Sequence, residues 1–199
     1  MARKIVLVIY IMKHLKIFLL AVLTVFAASA CSQNKVKKTM EKKKVLVVYF
    51  SATGTTRQVA KQIAQIADAD LCEIVPAKPY SGADLDWTNK QSRSSIEMNN
   101  PTARPEIKAP SVDVSKYDCV FLGYPIWWDL APRVVNTFIE RNNLTGKTVI
   151  PFATSGSSTI TNSVAALKKS YPKIKWHTGK LLNHISEKEI GTWVSASIK

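Results

Sequence analysis

The chain has 199 residues, of which 46% are hydrophobic, and a formal net charge of +14 at pH 7. Residues 1–44 have a net charge of +9. Residues 45–199 carry 18 basic and 13 acidic side chains, for a net charge of +5. This second part has no basic stripe interleaved with aromatic residues, so the sequence predicts no nucleic-acid partner. Its length is sufficient for one domain with a hydrophobic core.

Residues 12–30 have the pattern of an export signal. Lys13 and Lys16 precede an apolar stretch over residues 17–27, and small residues follow up to Cys31. A short basic start, an apolar region and a cleavage site with small residues are the parts of a secretory signal peptide. The last four letters, ASAC, resemble a bacterial lipoprotein box, in which the cysteine is lipidated and becomes the mature N-terminus.

We therefore predict a signal peptide over residues 1–31 that ends at Cys31 and is lipidated there. The export pattern is complete from Met12, which is the expected start of translation; a start at Met1 leaves the alternative of an uncleaved membrane anchor. Residues 32–44 hold six lysines against one glutamate and no apolar periodicity, which predicts a basic flexible tether. Together these segments predict an exported, membrane-anchored lipoprotein that faces the periplasm.

The first two elements of the predicted domain are a strand and a helix. Residues 45–50 form a continuous apolar, β-branched and aromatic run, which is typical of a strand buried on both faces of a parallel sheet. Val59, Ile63 and Ile66 recur at helical spacing, which predicts an amphipathic helix over residues 57–67. The six residues between the two runs, SATGTT, therefore occupy a strand-to-helix turn.

This hydroxyl-rich turn predicts an anion site. A helix N-terminus exposes unpaired N–H groups and about half a positive charge. Ser51, Thr53, Thr55 and Thr56 add hydroxyl donors, and Gly54 permits a positive φ. The turn holds no lysine and matches neither GxxxxGK[ST] nor GxGxxG, which favours one phosphate monoester over a triphosphate with magnesium. Simple capping of the helix by one hydroxyl is the alternative.

Strands and helices alternate through the rest of the sequence. Four further strands are predicted, over residues 71–75 at a sheet edge, over 118–124 and 148–153 in the interior, and beginning at 173–176. Three helices are predicted, opening at Pro132, at Ser157 or Ser158, and at a capping box of Ser186 and Glu189. The alternation predicts an α/β fold in which a parallel sheet carries helices on both faces.

Three local features interrupt or qualify this pattern. Pro151 lacks a ladder donor, so we expect a bulge or a locally broken pairing in its strand. Residues 76–110 are rich in proline and weakly periodic, and we expect a long excursion that forms part of a pocket wall. Cys72 and Cys119 lie in predicted strands as small buried hydrophobes, so no structural disulfide is expected.

Ligands in such folds bind beyond the carboxyl ends of the strands. Three loops are predicted there: SATGTT, GYPIWWDLAP over residues 123–132, and TSGSS over 154–158. Loops of these kinds resemble the flavodoxin family, in its branch with a PIWW loop, and Ser51, Thr53, Gly54 and Thr56 match its [ST]xTGxT pattern. The resemblance covers residues 45–199 and implies a flavodoxin-like, doubly wound five-stranded parallel sheet in the order 2-1-3-4-5, with FMN as cofactor.

The resemblance also implies which residues bind FMN. They are Ser51, Ala52, Thr53, Gly54, Thr55, Thr56, Pro125, Ile126, Trp127, Trp128, Asp129, Thr154, Ser155, Gly156 and Ser157. The first loop would hold the phosphate, Trp127 or Trp128 would supply a plane for the ring, and donors in the two later loops would bind the ring edge. Asp129 and Ser157 stand where this branch tends to have glycine. The Asp129 carboxylate would either lower the reduction potential of the flavin or complement the helix that follows Pro132.

Three functions remain open at this point. The leading prediction is an FMN-binding redox protein that transfers electrons to a redox partner protein or a small-molecule acceptor. The alternative is an FMN-dependent NAD(P)H/quinone-type oxidoreductase, because TSGSS has no aromatic residue and leaves one face of the ring open. The third is a membrane-tethered binding lipoprotein that has lost the flavin. No catalytic residue and no metal ligand is assigned.

Overall fold

The computed structural model describes residues 43–183 and 185–198. The predicted signal peptide, the predicted lipidation at Cys31 and the tether up to residue 42 lie outside these residues. Within the described ranges, we find no helix with the length and apolar character needed to cross a bilayer.

A twisted sheet of six strands forms the centre of the domain. The strands are β1 (Val45–Tyr49), β2 (Asp70–Glu73), β3 (Cys119–Pro125), β4 (Thr148–Thr154), β5 (Lys175–Trp176) and β6 (Lys180–Leu181). All pairs are parallel, in the order β2-β1-β3-β4-β5, and β6 pairs with β4 beyond the end of β5. The predicted strand order is confirmed, and β2 lies at the edge as its half-polar sequence indicates.

Pro151 explains why the last strand is divided into two. β5 pairs with Thr148 and Val149, and β6 pairs with Phe152 and Ala153, so that pairing on this side of β4 is interrupted at Pro151. The N–H of His177 donates to Val149 O and that of Leu182 to Ala153 O. Pro151 falls between these two bonded positions and has no N–H to offer. The predicted break in pairing is confirmed, and on the other side the register with β3 continues through Leu122.

Five α-helices lie in the described ranges, and four of them pack on the two faces of the sheet. The five helices are α1 (Thr55–Ala67), α2 (Arg93–Asn99), α3 (Arg133–Arg141), α4 (Thr161–Ser170) and α5 (Glu187–Ile198). Apolar residues of α1 and α5 join one buried cluster, and those of α3 and α4 join a second cluster on the opposite face. Cys72 and Cys119 are free and buried in their strands, and burial raises the pKa of the Cys119 thiol to about 11.

Two of the three predicted helix starts need correction. Pro132 is the N-cap of α3 and precedes its first helical residue. The prediction that Ser157 or Ser158 opens α4 is wrong: their N–H groups donate to Ser155 Oγ, at 3.2 and 2.8 Å, and form a turn. The helix therefore starts later, at Thr161, with Ile160 as N-cap.

The third start is confirmed. The N–H of Ser186 donates to Glu189 Oε2 and the N–H of Glu189 donates to Ser186 Oγ, at 3.1 and 3.3 Å. This reciprocal pair is the capping box that the sequence predicts for α5.

The long excursion between β2 and β3 folds back on the α3 side of the sheet. Its ends meet in a bridge between Pro76 and Ile107, and its centre contains a 3₁₀ turn (Ala83–Leu85) and α2. The guanidinium of Arg133 is buried and donates to the carbonyl oxygens of Glu97 and Met98, at 3.3 and 3.0 Å. The first residue of α3 thereby fixes the end of α2.

Gly123 allows β3 and β4 to pack closely at the carboxyl half of the sheet. It lies opposite Phe152 in the register, and a Cβ at Gly123 would overlap the fully buried Phe152 ring. A side chain at this position therefore has to displace an aromatic ring in the core.

We predict that Gly123→Ala destabilises the domain by about 2 kcal/mol, because overpacking forces the ring or the strand to move. Urea denaturation should show a lower midpoint. Gly191→Ala is the matched control: Gly191 lies inside α5 with no atom within 4 Å of a built Cβ, so alanine should stabilise the helix by about 0.5–1 kcal/mol. An unchanged midpoint for Gly123→Ala would show that the core accommodates the methyl group.

Candidate functional site

The turn between β1 and α1 presents donors that the protein itself does not use. Gly54 is the N-cap of α1 and has φ +97°, a conformation that side chains rarely adopt. Ser51 Oγ accepts a hydrogen bond from Gly54 N at 3.1 Å. Among the described residues, the N–H groups of Thr55 and Thr56 and the hydroxyls of Thr53 and Thr55 have no hydrogen-bond partner. The turn therefore retains the anion-binding character that the sequence predicts.

Thr56 has a different role from its neighbours. Its side chain is buried, and its hydroxyl lies 2.8 Å from Thr154 Oγ1 at the end of β4. The Thr56 hydroxyl is thus a structural contact between the first and third loops, and the hydroxyls of Thr53 and Thr55 are the exposed ones.

The loop after β3 makes a tight reversal at the tryptophan pair. Trp127 and Leu130 exchange two backbone hydrogen bonds, of 3.0 and 2.9 Å. The two residues between them, Trp128 and Asp129, have φ values of +47° and +61°. Positive φ at both central positions is the pattern of a type I′ turn, which favours glycine and asparagine. This explains why glycine would suit position 129, and it leaves the N–H groups of both central residues without an acceptor in the described structure.

The two adjacent tryptophans point to different environments. The Trp127 ring packs edge-on against Phe50 and Tyr80, with centroid distances of 5.6 and 5.3 Å. The side chain of Trp128 is 42% exposed. Trp128 is therefore the tryptophan of this loop with a large free surface, in agreement with the expectation that at least one of the pair faces outward.

In the loop after β4, several backbone N–H groups donate to acceptors within the protein. Ser155 N donates to Asn183 Oδ1 at 2.8 Å, and Asn183 Nδ2 donates back to Ser155 O. The N–H groups of Ser157 and Ser158 donate to Ser155 Oγ. The N–H groups of Ser155, Ser157 and Ser158 are therefore bonded within the protein in this structure. Gly156 N and the Ser157 hydroxyl remain without a partner in the part of the chain that the structure describes.

The three loops enclose a cavity of about 480 Å³. It is lined by Ala52, Thr53, Leu85, Trp87, Ser94, Pro125, Ile126, Trp127, Trp128, Ser155, Gly156, Ser157 and Ser158. Nine of the fifteen predicted site residues are in this lining. Two clefts of about 500 and 570 Å³ lie at the opposite, amino ends of the strands, away from these loops.

The other six predicted residues lie beside or beneath the cavity. They are Ser51, Gly54, Thr55, Thr56, Asp129 and Thr154. Asp129 is exposed and accepts a hydrogen bond from Asn162 Nδ2 at 3.3 Å. The carboxylate thus contacts the first turn of α4. This contact differs from the predicted one with α3.

Sequence reasoning did not single out Leu85, Trp87 or Ser94, and it placed Ser158 in the third loop without assigning it to the site. The first three belong to the excursion, which was expected to form part of a pocket wall, and this expectation is confirmed. Neither a motif nor a clear periodicity marks the individual residues. The cluster of proline residues around the segment is the one signal that pointed to it.

A network of polar and aromatic contacts holds this wall against the β3 loop. The Tyr80 hydroxyl donates to Glu97 Oε2 at 2.5 Å, and Arg93 Nε donates to Glu97 Oε1 at 2.6 Å. The Arg93 guanidinium also lies 4.0 Å from the centroid of the Tyr80 ring, which in turn packs on Trp127. Burial, and secondarily the hydrogen bond to Glu97, raise the pKa of Tyr80. Tyr80 is therefore neutral at physiological pH.

No ionisable side chain is present in the described lining of the cavity. Arg57, in the first turn of α1, is paired with Glu73 at 2.6 Å. The hydrogen bond that Arg57 donates to Glu73 is the largest cause of the raised pKa of Arg57. The groups that this site can offer to a ligand are therefore backbone dipoles, hydroxyls and apolar surface.

Comparison with known proteins identifies the family. The flavodoxin family model matches residues 44–197. A candidate flavoprotein from Bacteroides eggerthii is 55% identical, with a TM-score of 0.76 over 79% of this chain and 99% of the other. A candidate flavoprotein from Bacteroides uniformis is 50% identical, with a TM-score of 0.75 over 78% of this chain and 99% of the other. The chain belongs to the flavodoxin family.

A more distant structure shares the fold. It is a flavoprotein from Lactobacillus acidophilus in complex with FMN, 22% identical, with a TM-score of 0.60 over 76% of this chain and 98% of the other. A search of curated proteins finds no match.

We predict that Thr56→Val destabilises the protein by about 1–2 kcal/mol, because it leaves the buried Thr154 hydroxyl without its partner. In the double variant Thr56→Val/Thr154→Val neither hydroxyl is left unpaired, so most of the loss should be recovered. Chemical denaturation of both single variants and the double variant forms the cycle that measures this coupling. Additive losses would show that the two hydroxyls do not interact.

Proposed function

We propose that the protein is an FMN-binding redox protein. The observation that carries the proposal is the convergence of an anion-binding turn, an exposed tryptophan and unused backbone donors on one uncharged cavity. FMN, when bound, supplies one- and two-electron transfer. The phosphate and the ring of FMN each have matching groups among the residues present.

The phosphate would be held by the turn between β1 and α1. The first N–H groups of α1 and the hydroxyls of Thr53 and Thr55 offer donors without protein partners in the described structure. The partial positive charge of the helix N-terminus favours an anion. The positive φ of Gly54 shapes this turn, because other residues would be strained there.

The ring would be held by the loops after β3 and β4. Trp128 offers a free aromatic surface, while the N–H groups of Trp128, Asp129 and Gly156 are available for the polar edge. A cavity of about 480 Å³ lies within the range of small-molecule sites. Membership of the flavodoxin family and the FMN complex of the Lactobacillus acidophilus flavoprotein support the same assignment.

We predict that Thr53→Val weakens FMN binding by about five- to tenfold and leaves riboflavin binding unchanged, because the lost hydroxyl contacts only the phosphate. Fluorescence titration of the purified protein with both ligands measures the two dissociation constants. Thr145→Val is the control, since Thr145 is an exposed threonine remote from the cavity. Equal losses for FMN and riboflavin would refute the phosphate assignment. Failure of the unmodified protein to bind FMN would favour the third function, a binding lipoprotein without flavin.

We further propose that the domain is exported and held at a membrane by a lipid on Cys31, where it faces the periplasm. The basic start, the apolar stretch and the ASAC sequence support this proposal. Electrons would pass to a redox partner protein or to a small acceptor from this position.

We predict that Cys31→Ser releases the protein from the membrane fraction, because a single thiol is the proposed attachment point for lipid. Fractionation of cells expressing the full chain, with metabolic labelling by a radioactive fatty acid, measures both attachment and modification. A Met12→Leu variant distinguishes the two proposed starts. If the Met12→Leu variant is still expressed, translation starts at Met1. If the protein also stays in the membrane fraction after Cys31→Ser, the N-terminal segment is an uncleaved anchor.

A further inference from the structure

Trp87 is an exposed tryptophan at the border of the cavity. Its side chain is 74% exposed, and it makes no hydrogen bond and no ring contact with any residue that the structure describes. Exposure of a large aromatic side chain to water is unfavourable by roughly 25 cal/mol per Å². Covering this ring with a ligand therefore lowers the free energy of the system. Because Trp87 belongs to the cavity lining, a ligand that covers the ring would be bound in the cavity.

The surroundings of Trp87 define the shape of the ligand. Leu85 adds apolar surface, and the 42% exposed ring of Trp128 belongs to the same lining. Trp87 and Trp128 make no ring contact with each other, so each indole presents a free face. Indole faces bind flat aromatic molecules by offset stacking. The subsite therefore favours a planar ligand.

A buried hydroxyl in the lining favours a ligand that carries a hydrogen-bond acceptor. Ser94 is only 2% exposed and still lines the cavity. Within the described residues its hydroxyl has one long contact, 3.4 Å to Ser92 Oγ. A buried hydroxyl with so long a contact is stabilised when it donates to a well-placed acceptor. A carbonyl oxygen on the planar ligand would provide that acceptor.

The charge of the lining distinguishes between a charged and an uncharged planar ligand. The described lining contains no lysine, arginine, aspartate or glutamate. Burial of a charged group without a partner is unfavourable, so an anionic dinucleotide gains nothing from this surface. An uncharged molecule enters it without that penalty.

We propose that Trp87, Leu85 and Ser94 form a subsite for an uncharged, planar aromatic carbonyl compound of the quinone class, beside the proposed FMN site. The inference rests on the proposed function and goes beyond it by naming the class of electron acceptor and the residues that select it. Trp87 stacks on the ring, and Ser94 donates a hydrogen bond to a carbonyl oxygen.

Equilibrium dialysis of menadione against the FMN-loaded, oxidised protein without a reductant tests the subsite, because no turnover occurs. Trp87→Ala should weaken menadione binding about tenfold and Ser94→Ala about fivefold, while the dissociation constant of FMN changes by less than about twofold. Ile96→Ala is the matched control, since Ile96 is 53% exposed but lies outside the lining. It should change neither constant. Trp87→Phe should retain menadione binding within about threefold.

Each other outcome identifies a different error. If the FMN-loaded protein does not bind menadione, or if Trp87→Ala leaves its affinity unchanged, the subsite is refuted while FMN binding stands. If Trp87→Ala weakens FMN as much as menadione, Trp87 contacts the cofactor and the acceptor assignment fails. A loss of NAD⁺ affinity in Trp87→Ala, measured by the same dialysis and without a loss for menadione, would assign the surface to a nicotinamide. If the unmodified protein binds no FMN, both proposals fail together.

Discussion

The parallel register of β1, β3 and β4 is the constraint on which the candidate site depends. It places Tyr49 beside Gly123 and Pro125 beside Thr154, so that three loops leave the same edge of the sheet. The bond between the hydroxyls of Thr56 and Thr154 then joins the first of these loops to the third. Because both hydroxyls are buried, water does not compete for this bond, and the sheet and its side chains set the distance between the loops without help from a ligand.

The absence of ionisable groups from the described lining has one consequence for both halves of the site. A phosphate at the first turn would be stabilised by N–H dipoles and hydroxyls, since Arg57 is already paired with Glu73. The same neutrality makes the outer part of the cavity suitable for an uncharged molecule. One surface would therefore accept an anion where a helix begins and select against charge a few residues away. Local backbone geometry, and not net charge, separates the two preferences.

The sequence predicted the individual strands and the three loops because both depend on local patterns, whereas the strand order followed from the resemblance to the flavodoxin family. Buried parallel strands have continuous apolar runs, and the hydroxyl cluster directly precedes a helical period. Contacts between distant segments were not predictable. No local pattern shows that Asn183 takes the donor of Ser155, that Thr56 pairs with Thr154, or that Trp87 reaches the cavity. The start of α4 was placed too early for a different, local reason: a serine-rich run can cap a helix or bond within its own turn, and here it does the second.

The point where the chain enters the domain bears on how an anchored protein would work. The N–H of Lys44 donates to Asp118 Oδ2 at 3.0 Å, at the amino ends of β1 and β3. The cavity lies at the carboxyl ends of the same strands, roughly 20 Å away for strands of this length. A tether that joins the domain at residue 44 thus starts from the edge opposite the cavity mouth. The point of attachment therefore does not overlap the cavity lining.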